Sequence, residues 1–213
     1  MEIFQITLLS LQVSTLATLI SLIIGLPFGT WLALGNFRGR NVILSIINTG
    51  MALPPVVVGL LVAILLWRSG PLGDLKLIYT PWAIVIAQTV IAAPVVTGLT
   101  AAALEALDPR LQQQLLGLGA SRSQMVWYLW REARLPLLAA LMAGFGSVIS
   151  EVGASMMVGG NIKGHTRVLT TAIVLETSKG EFNQALALSA LLLVITYLIN
   201  LTLTSIQQRG QKR

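Results

Sequence analysis

The sequence contains no cysteine and a single histidine, His165, in 213 residues. Disulfides and thiolate metal sites are thereby excluded, and one imidazole cannot build a metal centre alone. Charge is also scarce: Asp, Glu, Lys and Arg make up 10% of the chain, against ~25% in a typical soluble domain. The eight acidic residues do not cluster with one another or with His165 inside any apolar run. Serines are plentiful, yet none lies in a nucleophile elbow beside a plausible base. No catalysis and no cofactor are expected of this chain.

What is abundant is apolar surface. Hydrophobic residues form 55% of the sequence, and the mean hydropathy is +0.81. A bilayer core of ~30 Å is crossed by roughly 20 apolar residues in helical form. Uncharged runs of that kind lie between Glu2 and Arg38, from Asn41 to Trp67, and from Leu77 to Leu104. A shorter run covers Leu135 to Ser150, and the last covers Phe182 to Gln208. About five transmembrane helices are therefore expected, in an all-α membrane protein. The aqueous parts are too short for a second folded unit, so residues 1–213 read as one transmembrane domain. The first run lacks the basic flank of a cleaved signal and exceeds its ~7–15 apolar residues, so it is expected to stay.

The net charge of +6 comes from cations in the connections between runs. There it obeys membrane topology rather than forming a phosphate-binding stripe, and nucleic-acid binding is not expected. With the N-terminus outside, the inner segments hold Arg38, Arg40, Arg110, Arg122, Arg131, Arg134, Arg209, Lys212 and Arg213. The outer segments hold Arg68, Lys76, Lys163, Arg167 and Lys179. Lys and Arg favour the cytoplasmic side, so nine against five predicts an N-out, C-in protein of the cell (inner) membrane.

Several features within the runs call for tight packing or broken helices. Span one, about Leu8 to Leu34, carries Gly25-Leu-Pro-Phe-Gly29, a spacing that lets helices approach closely. Span two, about Val42 to Trp67, contains Pro54 and Pro55, which remove two donors and interrupt the helix. Broken helices at membrane depth are tolerated where the backbone is buried in protein or lines a watery path. Span three starts at Pro81 and ends near Leu104. Span four is expected from Leu135 to roughly Val158 and is rich in small residues. Glu151 inside or at its rim would cost about 2.5–3.5 kcal/mol at mid-membrane, so it needs a near-surface position or a partner, with Arg167 and Lys163 as candidates. The polar stretch Gly159 to Arg167 follows, and Thr170, Thr171 and the segment to Glu181 read as outer or re-entrant. Gly159-x4-Gly164-His165-Thr166 approaches a phosphate-cradling loop, but His165 stands where the lysine should be.

The segment from Glu105 to Arg134 is polar, charged and 30 residues long. Asp108-Pro109 starts a helix, with Asp as N-cap and Pro at the first helical position. Gly117 and Gly119 end it, and Ser121 can cap a second helix from Arg122 to Arg134. Such a pair could lie flat in the lipid interface, but its glutamines and mixed charges favour docking a soluble partner.

This stretch resembles the cytoplasmic signature loop of ABC-importer permeases, Glu-Ala-Ala-x3-Gly-x9-Ile-x-Leu-Pro. Gly119-Ala120-Ser121-Arg122 matches the part that begins at the glycine, and Leu135-Pro136 its end. Gln113-Gln114-Leu115 stand where Glu-Ala-Ala is usual, and Pro136 lies 17 positions after Gly119, four more than the pattern has. Leu53-Pro-Pro-Val-Val-Val-Gly59 is similar to the second-span signature of molybdate-type permeases, and Ser150-Glu-Val-Gly-Ala154 with Gly160-Asn-Ile-Lys-Gly-His-Thr-Arg167 to a later segment of theirs. Glu132-Ala-Arg, Met156-Met-Val-Gly-Gly-Asn-Ile and Val168-Leu-Thr-Thr-Ala-Ile are more similar to the tungstate permeases.

The resemblance implies a type I ABC-importer permease for an oxyanion, tungstate or else molybdate. It implies a homodimer in membrane lipid, two copies of an ABC ATPase subunit inside and an oxyanion-binding protein outside. Residues expected to couple to the ATPase are Gln113, Gln114, Leu115, Gly119, Ala120, Ser121 and Arg122. A tetrahedral dianion can cross a membrane when hydroxyls, amides and backbone N–H groups at broken helix ends replace its water. The path or gate candidates are accordingly Pro54, Pro55, Ser150, Glu151, Gly153, Ser155, Asn161, Thr166, Arg167, Thr170 and Thr171. A stand-alone secondary carrier or channel for a small anion is the alternative. Carriers usually show inverted repeats, and none is evident in five spans.

Overall fold

The structure, a computed structural model, describes residues 2–211, with side chains to residue 208. Lys212 and Arg213 of the charge count lie outside the described residues, as does the side chain of Arg209. Ten α-helices follow one another, with no strand among the described residues: α1 (Glu2–Leu34), α2 (Arg40–Met51), α3 (Pro55–Leu66), α4 (Pro81–Glu105), α5 (Pro109–Gly117), α6 (Arg122–Glu132), α7 (Arg134–Ile149), α8 (Gly153–Gly159), α9 (Leu169–Ser178) and α10 (Phe182–Gln211). Three of them, α1, α4 and α10, are long and apolar enough to cross a membrane unaided. Two bent pairs, α2 with α3 and α6 with α7, raise the number to as many as five when each pair is counted as one crossing.

Packing centres on α4, whose apolar window is 56% buried. Its main partner is α1, and the expected glycine spacing makes that contact. A Cβ at Gly29 would lie 2.6 Å from the Thr97 carbonyl oxygen, and one at Gly25 would lie 2.9 Å from Val96 Cγ1. Only glycine permits these backbones to lie so close. The core continues through Val13, Ala17, Val58, Val62, Leu66, Ile84 and Val158, joining α1, α3, α4 and α8.

The break expected at Pro54 and Pro55 is present as a turn of 100° between α2 and α3. Pro55 occupies the first turn of α3, and both prolines lack the N–H that would continue α2. Each half has 12 residues, about 18 Å of helix, and cannot span alone. The extent expected of span four needs correction: it ends early, at Ile149 rather than near Val158. A three-residue break, Ser150 to Val152, separates α7 from the seven-residue α8.

The helix ends fall on two sides. Glu2 meets Lys163 and Arg167, and Tyr79 N–H donates to the Val158 carbonyl, so these termini share one side. On the other side Arg40 pairs with Glu105, Trp130 meets Thr30 and Gln207 reaches Leu135. That second side carries the whole 105–134 insert.

Candidate functional site

The insert is built by local capping. The Asp108 carboxylate accepts from Arg110 N–H at 2.9 Å, and Pro109 follows it. At the far end of α5, Gly119 N–H donates to Leu116 and Ala120 N–H to Leu115, both at 3.0 Å. This pair of bonds is a Schellman motif and requires a left-handed residue after the cap. Gly119 supplies it at φ +83°. Ser121 then opens α6 through a capping box: Gln124 N–H donates to Ser121 Oγ, and Ser121 N–H donates to Gln124 Oε1. The caps foreseen at Asp108 and Ser121 are those observed.

The two faces of the insert differ. Inward, Leu111 and Leu115 pack with Leu104, Met125, Leu129 and Ala133 and reach Ala33 and Leu34 at the end of α1. Outward, Leu118 is 85% exposed and Trp127 64% exposed. Gln113, Gln114, Gly119, Ser121 and Arg122 are exposed as well, while Leu115 and Ala120 are half-buried. Polar bonds fasten the insert to the spans. Trp130 Nε1–H donates to Thr30 Oγ1 at 2.8 Å. Arg40 pairs with Glu105 at the end of α4 while its Nε–H donates to the Leu32 carbonyl.

The path candidates fall into two groups. One surrounds the break after α7. Glu151 is buried, and its Oε1 accepts from Ala154 N–H at 2.8 Å. Thr170 Oγ1 donates to the Glu151 carbonyl at 2.8 Å. The expected pairing of Glu151 with Arg167 or Lys163 is therefore overturned: its carboxylate serves an N–H that the first turn of α8 leaves open, and both cations turn to Glu2. Gly153 and Ala154 lie against α3, where Cβ atoms at Gly153 and Gly59 would sit 2.5 Å from Val56 Cγ2 and 2.6 Å from Ala154 Cα. The segment begun by Pro54 and Pro55 is thus braced on α8. Ser150 is exposed, with Oγ donating to the Gly146 carbonyl.

Sequence reasoning passed over Gln88, which stands in the middle of this layer. It is 2% exposed on α4. Its Nε2 donates to the Val148 carbonyl at 3.2 Å, near the end of α7, and lies 3.5 Å from Ser155 Oγ. Its Oε1 is buried without a partner within the described residues. A lone amide in the uncharged run from Leu77 to Leu104 was the available signal.

The second group forms the loop from Gly159 to Thr171. Thr166 Oγ1 donates to the Gly159 carbonyl at 2.5 Å and accepts from Ile162 N–H at 3.0 Å. Thr171 Oγ1 accepts from Val168 N–H at 3.1 Å. Asn161 Nδ2 donates to the Thr171 carbonyl and Asn161 Oδ1 accepts from Arg167 Nε–H, each at 3.3 Å. Thr166, Thr170 and Thr171 are buried and bound to backbone. Their hydroxyls hold the loop's shape in this state.

The sequence profile of the binding-protein-dependent transport system inner membrane component family matches residues 25–213. The chain belongs to this family. As a member of it, the chain is a transport component and not itself an enzyme. It is 39% identical to the tungstate uptake system permease protein TupB of Peptoclostridium acidaminophilum, over 97% of this chain and 91% of that one. It is 40% identical to a probable anion ABC transporter permease protein of Haloferax volcanii, over 92% and 87% of the two chains. The molybdenum transport system permease protein ModB of Escherichia coli K12 is 30% identical over 99% and 97%. Among solved structures, the permease fold recurs in an inward-facing MetNI methionine ABC transporter, with TM-score 0.76 and 19% identity over 98% of this chain and 94% of that one. Family membership confirms the all-α importer-permease architecture and sets aside the stand-alone carrier or channel.

Proposed function

We propose that this protein is the membrane-spanning permease subunit of an importer for a tetrahedral oxyanion, tungstate or molybdate, driven by a separate ABC ATPase. The observation that carries the coupling half of this reading is the insert. Its outer face offers exposed apolar side chains, Leu118 and Trp127, on a rigid helix pair. Its inner face is hydrogen-bonded and packed onto the ends of α1 and α4. A soluble ATPase seated on that outer face pushes directly on the two helices at the centre of the packing. The identity with the tungstate and molybdenum permeases supports the choice of cargo.

In this reading two copies assemble about a two-fold axis in the lipid, with the N-terminus outside and the insert inside. Each copy takes one ATPase subunit, and an oxyanion-binding protein delivers cargo from outside. Residues 1–213 act as one permease domain, and residues 105–134 are its coupling region. Charge supports the orientation, since described cations on the insert side number six against three acidic groups, Glu105, Asp108 and Glu132. No Lys or Arg lies within α3, α4, α8 or α9, which suits a path that must release its anion. The candidate donors are backbone N–H groups at the start of α3 and the side chains of Ser155 and Gln88, which in this state are bonded to one another. The chain itself holds no cofactor in this scheme.

The test is reconstitution. The permease, its ATPase subunit and the binding protein should copurify as required and give ATP-dependent tungstate uptake in proteoliposomes. Uptake by the permease alone, or failure of the ATPase to associate, overturns the reading.

A further inference from the structure

On the side opposite the insert, one carboxylate sits between two cations. Glu2 Oε2 lies 3.0 Å from Lys163 Nζ, and Glu2 Oε1 lies 3.5 Å from Arg167 Nη1. The two cations come from a single rigid loop. The Arg167 side chain is 14% exposed, and its Nε–H is fixed on Asn161 Oδ1. Asn161 is in turn held on the Thr171 carbonyl in a left-handed conformation at φ +51°. Lys163, by contrast, has a side chain 69% exposed and meets Glu2 from the solvent side. The group borders a cavity of about 820 Å3 between the start of α1, the loop, α9 and α10.

We propose that Lys163 and Arg167 form a receiving site for the tetrahedral oxyanion as the binding protein releases it, with the Glu2 carboxylate occupying the anion's place when no cargo is present. The inference rests on the importer reading above. A carboxylate bridging an ammonium and a guanidinium uses the geometry that an oxyanion's oxygens would use, since both groups bind either anion through charge-assisted hydrogen bonds. Glu2 lies in the first turn of α1, so a small displacement of that end exposes both cations without disturbing the loop. The site is exposed enough to bind weakly. It therefore concentrates an anion at the mouth of a cation-free path and lets it go.

The test uses the purified permease–ATPase complex in detergent, without binding protein, titrated with tungstate by calorimetry. Glu2→Gln removes the competing carboxylate and should tighten tungstate binding by roughly two- to fivefold, the range expected of a solvent-exposed charge pair. Lys163→Gln and Arg167→Gln should each weaken it several-fold, and Arg167→Lys should retain part of what Arg167→Gln loses. Arg68→Gln, which removes a charge from the same side, should leave it unchanged. Equal tungstate binding in wild type, Glu2→Gln and Arg167→Gln overturns the site. So does a phospholipid retained by wild type, lost from Arg167→Gln and not displaced by tungstate, because the cations would then hold a headgroup. If the same complex, reconstituted with binding protein in proteoliposomes, shows ATP-driven tungstate uptake but the detergent titration shows none of these differences, the site alone fails. If it shows no ATP-driven uptake, the importer reading fails.

Discussion

Trp130 and Thr30 lie one hundred positions apart, yet the indole N–H of one meets the hydroxyl of the other at 2.8 Å. Thr30 Oγ1 in turn donates to the Leu26 carbonyl at 2.7 Å. The insert is thereby tied to the backbone of α1 beside Pro27, where the helix already lacks one internal bond.

Trp130→Phe keeps an aromatic ring, gives up part of the indole's volume and removes the bond. A loss of about 1 kcal/mol is expected, with the ATPase still bound and still hydrolysing ATP. Transport should fall several-fold, so the ratio of tungstate imported to ATP hydrolysed is the measurement. Thr30→Val should reproduce the effect, and an unchanged ratio in both variants removes the bond from the coupling route.

Gly119 is required by its backbone. A Cβ there would meet nothing within 4 Å in this chain, but φ is +83°. Gly119→Leu should cost about 1 kcal/mol in the left-handed region, distort the α5–α6 turn and reduce ATPase copurification. Gly119→Asn, which tolerates that region, should preserve the turn. If the Asn variant also fails to bind the ATPase while its helices are intact, close approach of the partner is the reason for the glycine.

Glu151 accepts one buried backbone N–H, so its variants should separate by hydrogen bonding rather than by size. Glu151→Gln keeps an acceptor and should remain assembled, with altered gating and an unchanged preference between tungstate and molybdate. Glu151→Leu orphans Ala154 N–H and should cost about 1–3 kcal/mol, read as a lower unfolding temperature in detergent. Equal stability of the two variants would remove the capping role.

Gly59 faces the Ala154 backbone, which cannot swing aside as a long side chain can. Gly59→Val should force α3 and α8 apart and destabilise the protein by about 1–3 kcal/mol or more. Fluorescence-detected size exclusion after mild heating would report it, and a stable, active valine variant would contradict the observed contact.

Much of this architecture was legible in the sequence because its signals are local. Uncharged runs mark α1, α4 and α10, Asp108 and Ser121 announce their own caps, and Gly25 and Gly29 declare a close helix contact. The breaks were legible in place but not in kind. Two prolines foretell an interruption, whereas the 100° turn depends on α3 finding Ala154, a contact between residues far apart in sequence. Glu151 was read as a charge needing a cation, because nothing nearby in the sequence reveals that the helix stops and leaves an N–H for it. The partners of Lys163 and Arg167 escaped for the same reason: Glu2 is separated from them by almost the whole chain. Gln88 is a lone amide whose role appears only when α7 and α8 come to rest beside α4.

α10 stands apart from the other spans, with only 6% of its apolar window buried by its own chain. Substitutions that stay greasy should therefore accumulate there freely, since few neighbours constrain their shape. On α4, where more than half of that window is covered, each added methyl group meets an occupied place. Related permeases should thus diverge fastest along their final span and slowest along the helix at the centre.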